Sequence, residues 1–397
     1  MAKTNNYLTT IAIDTVRSTI HFYSSIENDD TTITHSIKHY SGRHFDEEFF
    51  KKFREAIKEF VEENPSDTMR KVTVVLPDTA ILTDTLKIPT IKGFGQMKKA
   101  FEASLGVLYK NYRDLRISSY AADQNKQYST FVISAVQNNI LSEIYSACAE
   151  NKLVIETLTY ASGATVGAAS VINSKLKNAS YLFLDIKDVY SRFTFVIGGR
   201  AVGFYTVPFG FEFLRTPRVI GEDMLFDHSL AELAVINARE RAKSKKLTVM
   251  EDEEDEEDLL PIDAEEGAAA MAESETLTVG TQKVLKKTPR KLPKFMLRDL
   301  PETEEGIAYE NFRVFMKWAL TLIDSNKKIT DLGKLEYVCV NLPEDLAGVV
   351  AKANEESAEN GILFTRLKTE GIAPLVTTNL DLYGGLFPRQ INPAVKF

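Results

Sequence analysis

The chain opens on alternating apolar and polar positions, a pattern that predicts strands. YLTTIAI (7–13), STIHFYSSI (18–26) and TTITHSIKHY (31–40) read as three successive strands around short polar turns. The period then becomes helical in FDEEFFKKFREAIKEFVEE (45–63). Phe49, Phe53, Ile57 and Phe60 fall on one stripe there, and Asn64-Pro65 ends the helix. KVTVVLP (71–77) predicts a buried strand. Residues 78–151 predict a separate α+β unit: strand 79–88, a helix near 94–110, strands 115–122 and 128–135, and helix 137–151. VIETLTY (154–160) returns as a strand, and the small-residue run ASGATVGAAS (161–170) opens a helix.

A second meander follows in YLFLDIKDVYSRFTFVIGGRAVGFYTVPFG (181–210), with turns at Lys187-Asp188 and Gly198-Gly199. Its start, LFLDIKDVYSRFTF, parallels IAIDTVRSTIHF near the beginning of the chain, which predicts a duplicated fold. A helix over 222–246 comes next. Residues 250–304 differ in kind, with the acidic block EDEEDEED (251–258) and the basic run KVLKKTPRKLPKF (283–295). That composition cannot bury a core and predicts a disordered or loosely packed insertion. Order resumes with helix 309–325, strand 335–342 and helix 344–359, and LDLYGGLFPRQINPAVKF (380–397) reads as a short helix and a tail.

Composition narrows this picture. With 397 residues, 44% hydrophobic and 26% charged, the chain is of ordinary globular make-up and long enough for two or three domains. A net charge of -8 gives no nucleic-acid footprint. Cys148 and Cys339 lie far apart, which fits a reducing compartment and two small buried hydrophobes. No secretory signal pattern opens the chain, and no apolar run approaches the ~20 residues that span a bilayer. The expectation is a cytoplasmic protein, without direct membrane insertion, that reaches a membrane through a partner.

The candidate chemistry sits in AIDTVRSTIHFY (12–23), an apolar strand, an Asp and a short polar run. That is the shape of a phosphate-binding turn, except that Val16 stands where such turns need Gly. A β-branched residue at a left-handed position would cost on the order of 1–3 kcal/mol, so the turn is expected to have changed shape. His21, His35, His39 and His44 invite a metal reading, but His35 and His39 alternate onto one strand face and read as a surface pair. No order of residues suggests a catalytic triad. Phe49, Phe50, Phe53 and Phe60 read as core. The acidic run at 251–258 reads as a solvated tether, or as an autoinhibitory contact to the basic run Lys286–Lys294.

The duplicated order of strands, with an Asp-bearing hairpin in each half, resembles the actin-like ATPase superfamily. The unit after VTVVLP, with LKIPTIKGFGQMKKAF (86–101) and FVISAVQNNILSEIYSACAENKLVIETL (131–158), resembles the inserted subdomain of its FtsA branch. Length and element order resemble the type IV pilus assembly proteins of the PilM kind. The resemblance implies an α/β, duplicated actin-like (ribonuclease H-like) fold with an FtsA/PilM-type inserted α+β subdomain. It implies a first half at 1–77 plus 152–180, the inserted unit at 78–151, a second half at 181–249 plus 305–397, and the insertion at 250–304. In that family phosphates sit between the two hairpins, so Asp14, Arg17, Ser18, Asp185 and Lys187 would form a vestigial nucleotide and Mg²⁺ site. The family glycines are missing at Asp14-Thr15-Val16, at Asp185-Ile186-Lys187, and after Val340, where Asn341-Leu342-Pro343-Glu344 replaces a Gly-Gly turn. ATP binding is therefore expected to be absent or weak, with Arg17 and Lys187 the alternative side-chain phosphate ligands, and no catalytic or metal residue is assigned. The implied role is a scaffold in a pilus or related secretion or competence machine, peripheral to the inner face of the membrane. It would bind the short cytoplasmic peptide of an inner-membrane protein in a groove near Leu86, Ile88, Pro89 and Phe94, with a homo-oligomer as a further expectation. The alternatives are an active ATPase or kinase of the same fold, or an FtsA-like polymer.

Overall fold

The structure, a computed structural model, describes residues 7–26, 29–41, 44–64, 70–124, 127–216, 301, 303–357, 362–369, 374–392 and 396–397. The expected helix over 222–246 and nearly all of the insertion at 250–304, with its acidic and basic runs, lie outside the described residues.

Strands β1 (Tyr7–Asp14), β2 (Thr19–Ile26) and β3 (Asp29–His39) form an antiparallel meander. Helix α1 (Glu47–Glu63) crosses to β4 (Arg70–Leu76), which lies parallel to β1. Asp46 caps that helix, its carboxylate accepting from Phe49 N at 2.8 Å, a contact typical of a helix start. The predicted stripe turns inward: Phe49, Phe53, Ile57 and Phe60 are buried, and Phe60 stacks on Phe22 with ring centres 4.5 Å apart. With β8 (Leu153–Tyr160) parallel to β4, the first sheet has the order β3-β2-β1-β4-β8.

The second half repeats this plan. Its meander is β9 (Tyr181–Ile186), β10 (Ser191–Ile197) and β11 (Arg200–Val207), with Gly198 and Gly199 both left-handed in the last turn. Helix α5 (Glu304–Ser325) leads to β12 (Tyr337–Asn341), parallel to β9, and helix α6 (Ala347–Ser357) leads to β13 (Leu363–Arg366). The order β11-β10-β9-β12-β13 matches the first sheet strand for strand. The predicted duplication is therefore present in topology and in sense of pairing. β13 has only four residues, too few for its alternation to be read from sequence.

Between β4 and β8 the chain builds the inserted unit: β5 (Leu82–Pro89), helix α2 (Phe94–Leu108), β6 (Leu115–Gln124) and β7 (Tyr128–Gln137), in the sheet order β5-β7-β6. Helix α3 (Asn138–Glu150), expected inside this unit, packs elsewhere. Ile140, Ile144, Ala147 and Cys148 join the core of the first half, and Arg54 of α1 pairs with Glu143. The crossover from the insert back to β8 thus packs with the first half, because its apolar stripe joins the core that α1 covers, with the two helices side by side. The unit also leans on the second half, where Val132 enters the core and Arg200 lies over the Tyr120 ring, 4.6 Å from its centre.

Helix α4 (Ala161–Ile172) runs between the halves, and from Ala161 to Ala169 every residue is buried. A helix enclosed on all sides must be made of small residues, as this one is. Against it sits α7 (Leu380–Gly385) from the C-terminal segment, so the end of the second half is seated on the first. A Cβ on Gly384 would lie 1.9 Å from the Ala164 carbonyl oxygen. Gly384→Ala should therefore cost roughly 1–3 kcal/mol in denaturant unfolding. Gly95→Ala, where nothing lies within 4 Å of the added Cβ, should be neutral or stabilising by up to about 1 kcal/mol. Equal midpoints for the two variants would mean that α7 is not seated on α4 in solution.

Candidate functional site

The two Asp-bearing hairpins meet tip to tip. The β1–β2 turn spans residues 15–18 and the β9–β10 turn residues 187–190. In the first, Asp14 Oδ1 accepts the amides of Val16 (2.9 Å) and Arg17 (3.0 Å), so the carboxylate organises its own turn. Val16 does not take the left-handed position; Ser18 does, with φ of 53°. The turn has changed shape as expected, the residue with positive φ lying two places further on. The amides that would cradle a phosphate are spent on Asp14.

Side chains then close the gap between the hairpins. Arg17 Nη1 donates to Asp14 Oδ2 at 2.7 Å, and its Nη2 pairs with Asp188 on the facing turn. Tyr190 answers in the other direction, its hydroxyl donating to Asp14 Oδ2 at 3.2 Å. The Tyr190 ring lies within 5.4 Å of the Arg17 guanidinium, 5.8 Å of Lys187 Nζ and 6.0 Å of the Arg192 guanidinium, each distance taken to the ring centre.

Behind this layer lies a second, drier one. Lys187 Nζ donates to Asp381 Oδ1 at 2.7 Å, with the lysine side chain 2% exposed. Arg192 on β10 is buried among three carboxylates. Its Nε lies 2.6 Å from Asp78 Oδ2, as an ion pair not aligned for a hydrogen bond. Its Nη1 is 3.5 Å from Asp185 and its Nη2 3.5 Å from Asp381. Nη1 also donates to Thr165 Oγ1 on α4 at 3.0 Å. Asp78 in turn caps α4, accepting from the amide (2.9 Å) and hydroxyl (2.8 Å) of Ser162. Asp185 accepts from Asn341 Nδ2 at 2.8 Å.

These surroundings set the charges. Burial pushes Asp185 up from the ordinary carboxylate range, against the pull of Lys187 and Arg192. Burial also opposes ionised Asp381, but Lys187 and Arg192 outweigh it and hold that carboxyl well below the usual range. Burial raises the Tyr190 phenol. His21 faces the same cleft, its Nε2 2.8 Å from Thr19 Oγ1 and its Nδ1 3.0 Å from His35 Nε2. The histidine pairing thus runs across strands, His21 with half-buried His35, while His39 is exposed. No group of three or more metal-ligating side chains occurs among the described residues.

Of the residues singled out from sequence, Asp14, Arg17 and Lys187 line the cleft. Asp185 is buried beneath it, and Ser18 lies in the turn, its carbonyl accepting from Tyr40 N at 3.1 Å. Asp78, Tyr190, Arg192 and Asp381 were not found from sequence. A buried Asp after Leu-Pro and an Arg inside an apolar strand were the available signals for the first and third. The cleft encloses about 30 Å³, room for a water or two, against the hundreds of Å³ of an ordinary ligand pocket. In this arrangement the Val16 and Arg17 amides are satisfied within the turn, and Arg17, Lys187 and Arg192 already hold carboxylates. Leu86 and Ile88, expected along a groove, are buried under α2 with Leu105 and Ile133, so they support the inserted unit and do not line its surface.

The fold is the duplicated actin-like fold. The chain is similar to the structure described as the PilM-PilN type IV pilus biogenesis complex, with a TM-score of 0.53 at 11% identity, over 98% of this chain and 100% of that one. It is more distantly similar to the cytoplasmic domain of EpsL, an inner membrane component of the type II secretion system of Vibrio cholerae. There the TM-score is 0.35 at 9% identity, over 55% of this chain and 77% of that one. The ethanolamine utilization protein EutJ from Carboxydothermus hydrogenoformans gives 0.36 at 12% identity, over 96% and 89%. No family model and no curated protein sequence matches the chain.

Burial lowers the His21 imidazole from 6.5 to about 4, against the favourable charges of Asp14 and Asp381. The unfolded chain therefore takes up this proton first as pH falls. The stability that neutral His21 contributes is complete above 6.5 and is lost on the way down through 4, on the order of 3 kcal/mol in all. Urea unfolding across this range should show a smaller loss in His21→Gln than in the parent chain. Parallel curves would show that His21 is not held neutral.

Proposed function

We propose that this chain is a non-enzymatic scaffold of a membrane-associated pilus or secretion assembly, holding a short cytoplasmic peptide of a membrane partner. The observation that carries the reading is the likeness to PilM in its complex with PilN, which runs through both halves and the inserted unit. The state of the cleft supports it. A nucleotide switch of this fold needs free turn amides and an accessible phosphate position, and here both are occupied by the protein's own groups. No helix among the described residues is long and apolar enough to cross a membrane, so a partner would supply the attachment. Among the described residues β5 forms ladder bonds with β7 alone, and beyond its approach to β11 its edge near exposed Lys87 offers main-chain bonds to an extended peptide.

Titration calorimetry with ATP and Mg²⁺ tests the cleft, with no binding expected up to millimolar nucleotide. Micromolar binding that is lost in Asp14→Ala would replace the scaffold with a nucleotide-dependent switch. For the partner, a photo-crosslinker at exposed Lys87 on β5 should capture a membrane protein in cells. A synthetic peptide of that protein's cytoplasmic segment should then bind the purified chain with micromolar affinity. Crosslinks to soluble proteins alone would overturn the assignment.

A further inference from the structure

Asp381 belongs to neither hairpin nor either sheet. It opens α7, in the segment that crosses from the second half to the first, and lies 194 residues from Lys187 in sequence. Yet its carboxylate is where two buried cations converge, with Lys187 Nζ at 2.7 Å from one oxygen and Arg192 Nη2 at 3.5 Å from the other. The segment is also seated by packing, with Gly384 close against Ala164 and Gly385 close against Thr10. Among the described residues Lys187 has no ion-pair partner except Asp381, whereas Arg192 keeps Asp78 and Asp185. The space beside these groups, about 30 Å³, borders Lys187, Arg192 and Asp381 together.

We propose that Lys187 and Arg192 form a binding site for a small oxyanion, carboxylate or phosphate, whose resident occupant is the Asp381 carboxylate carried in by the C-terminal segment. The segment is thus a tethered ligand, and the site becomes open to a free anion when that carboxylate is withdrawn. An ammonium and a guanidinium converging on one acceptor is the donor set that recognises carboxylate and phosphate alike. The inference rests on the reading of the cleft as self-occupied and is independent of the partner assignment.

The test uses the full chain with Asp381→Ala, followed by thermal unfolding at matched ionic strength. In chloride its Tm should fall by roughly 5–10 °C, since Lys187 is left buried and unpaired. Sodium formate and inorganic phosphate, tested separately, should raise the Tm of the variant saturably and beyond any shift in the parent chain. Rescue by formate alone would assign the site to carboxylates, and rescue by phosphate would extend it to phosphate. Lys187→Met added to the variant should abolish the response. Absence of anion-specific rescue, or equal rescue in the double variant, overturns the proposal. If Asp381→Ala does not fold, Asp381→Ser, which keeps a small polar group and still vacates the position of the carboxylate, carries the same comparison. Binding of ATP to the parent chain would instead count against the reading of the cleft, so the two failures are separate.

Discussion

Three cations, Arg17, Lys187 and Arg192, are held between the halves by five carboxylates, and the arrangement of everything else follows from satisfying them. Taking such charges out of water costs several kcal/mol each unless partners are already in place. The partners come from separated parts of the chain: Asp14 from the first hairpin, Asp78 after β4, Asp185 and Asp188 from the second hairpin, and Asp381 from the C-terminal segment. No single element can bury its charge until the others have docked. Such a network adds little net stability compared with apolar packing, but it penalises any arrangement in which one partner is missing. It therefore specifies the relative position of the halves more than it holds them together. The holding falls to α4 and α7, whose small residues let backbone approach backbone.

The same network accounts for the chemistry of the cleft. Each hairpin presents the elements from which a phosphate site is made: a strand, an Asp and a tight turn. In the first hairpin the Asp turns back on its own amides, those of Val16 and Arg17. The positive charge that would face a phosphate is present in Arg17 and Lys187, but it is neutralised by carboxylates that approach from across the cleft.

Much of the fold was legible because its signals are local. Alternation marked the two meanders, the stripe from Phe49 to Phe60 marked α1, and the parallel between residues 11–22 and 182–195 marked the duplication. The reading failed where an outcome depends on distant partners. The pattern of α3 is that of any amphipathic helix, and only the shared sheet shows that it belongs with α1. β13 is too short to display a period. Asp14 and Lys187 stood out because a hairpin turn is a contiguous stretch. Asp381 did not, since its partner is 194 residues away and its helix has barely more than one turn. Arg192 stands out as an Arg inside an apolar strand, but SRFTF does not say which carboxylates it meets, because Asp78 and Asp381 come from distant parts of the chain.

The consequence for function lies in what a fixed cleft does to the rest of the molecule. In a two-lobed fold that opens and closes, whatever is attached to one lobe moves relative to the other. Here the inserted unit is tied to both: it grows from the first half between β4 and α3, and it rests on the second half through Val132 and through Tyr120 beneath Arg200. With the halves in fixed register, that double attachment gives the unit one position. A surface in one position binds an extended peptide without first having to order itself, which removes a cost that mobile surfaces must meet on binding. On the proposed reading, a buried ionic network between the halves suits a scaffold, because it favours one arrangement of the two lobes. The carboxylate that completes the network is the one delivered by the C-terminal segment.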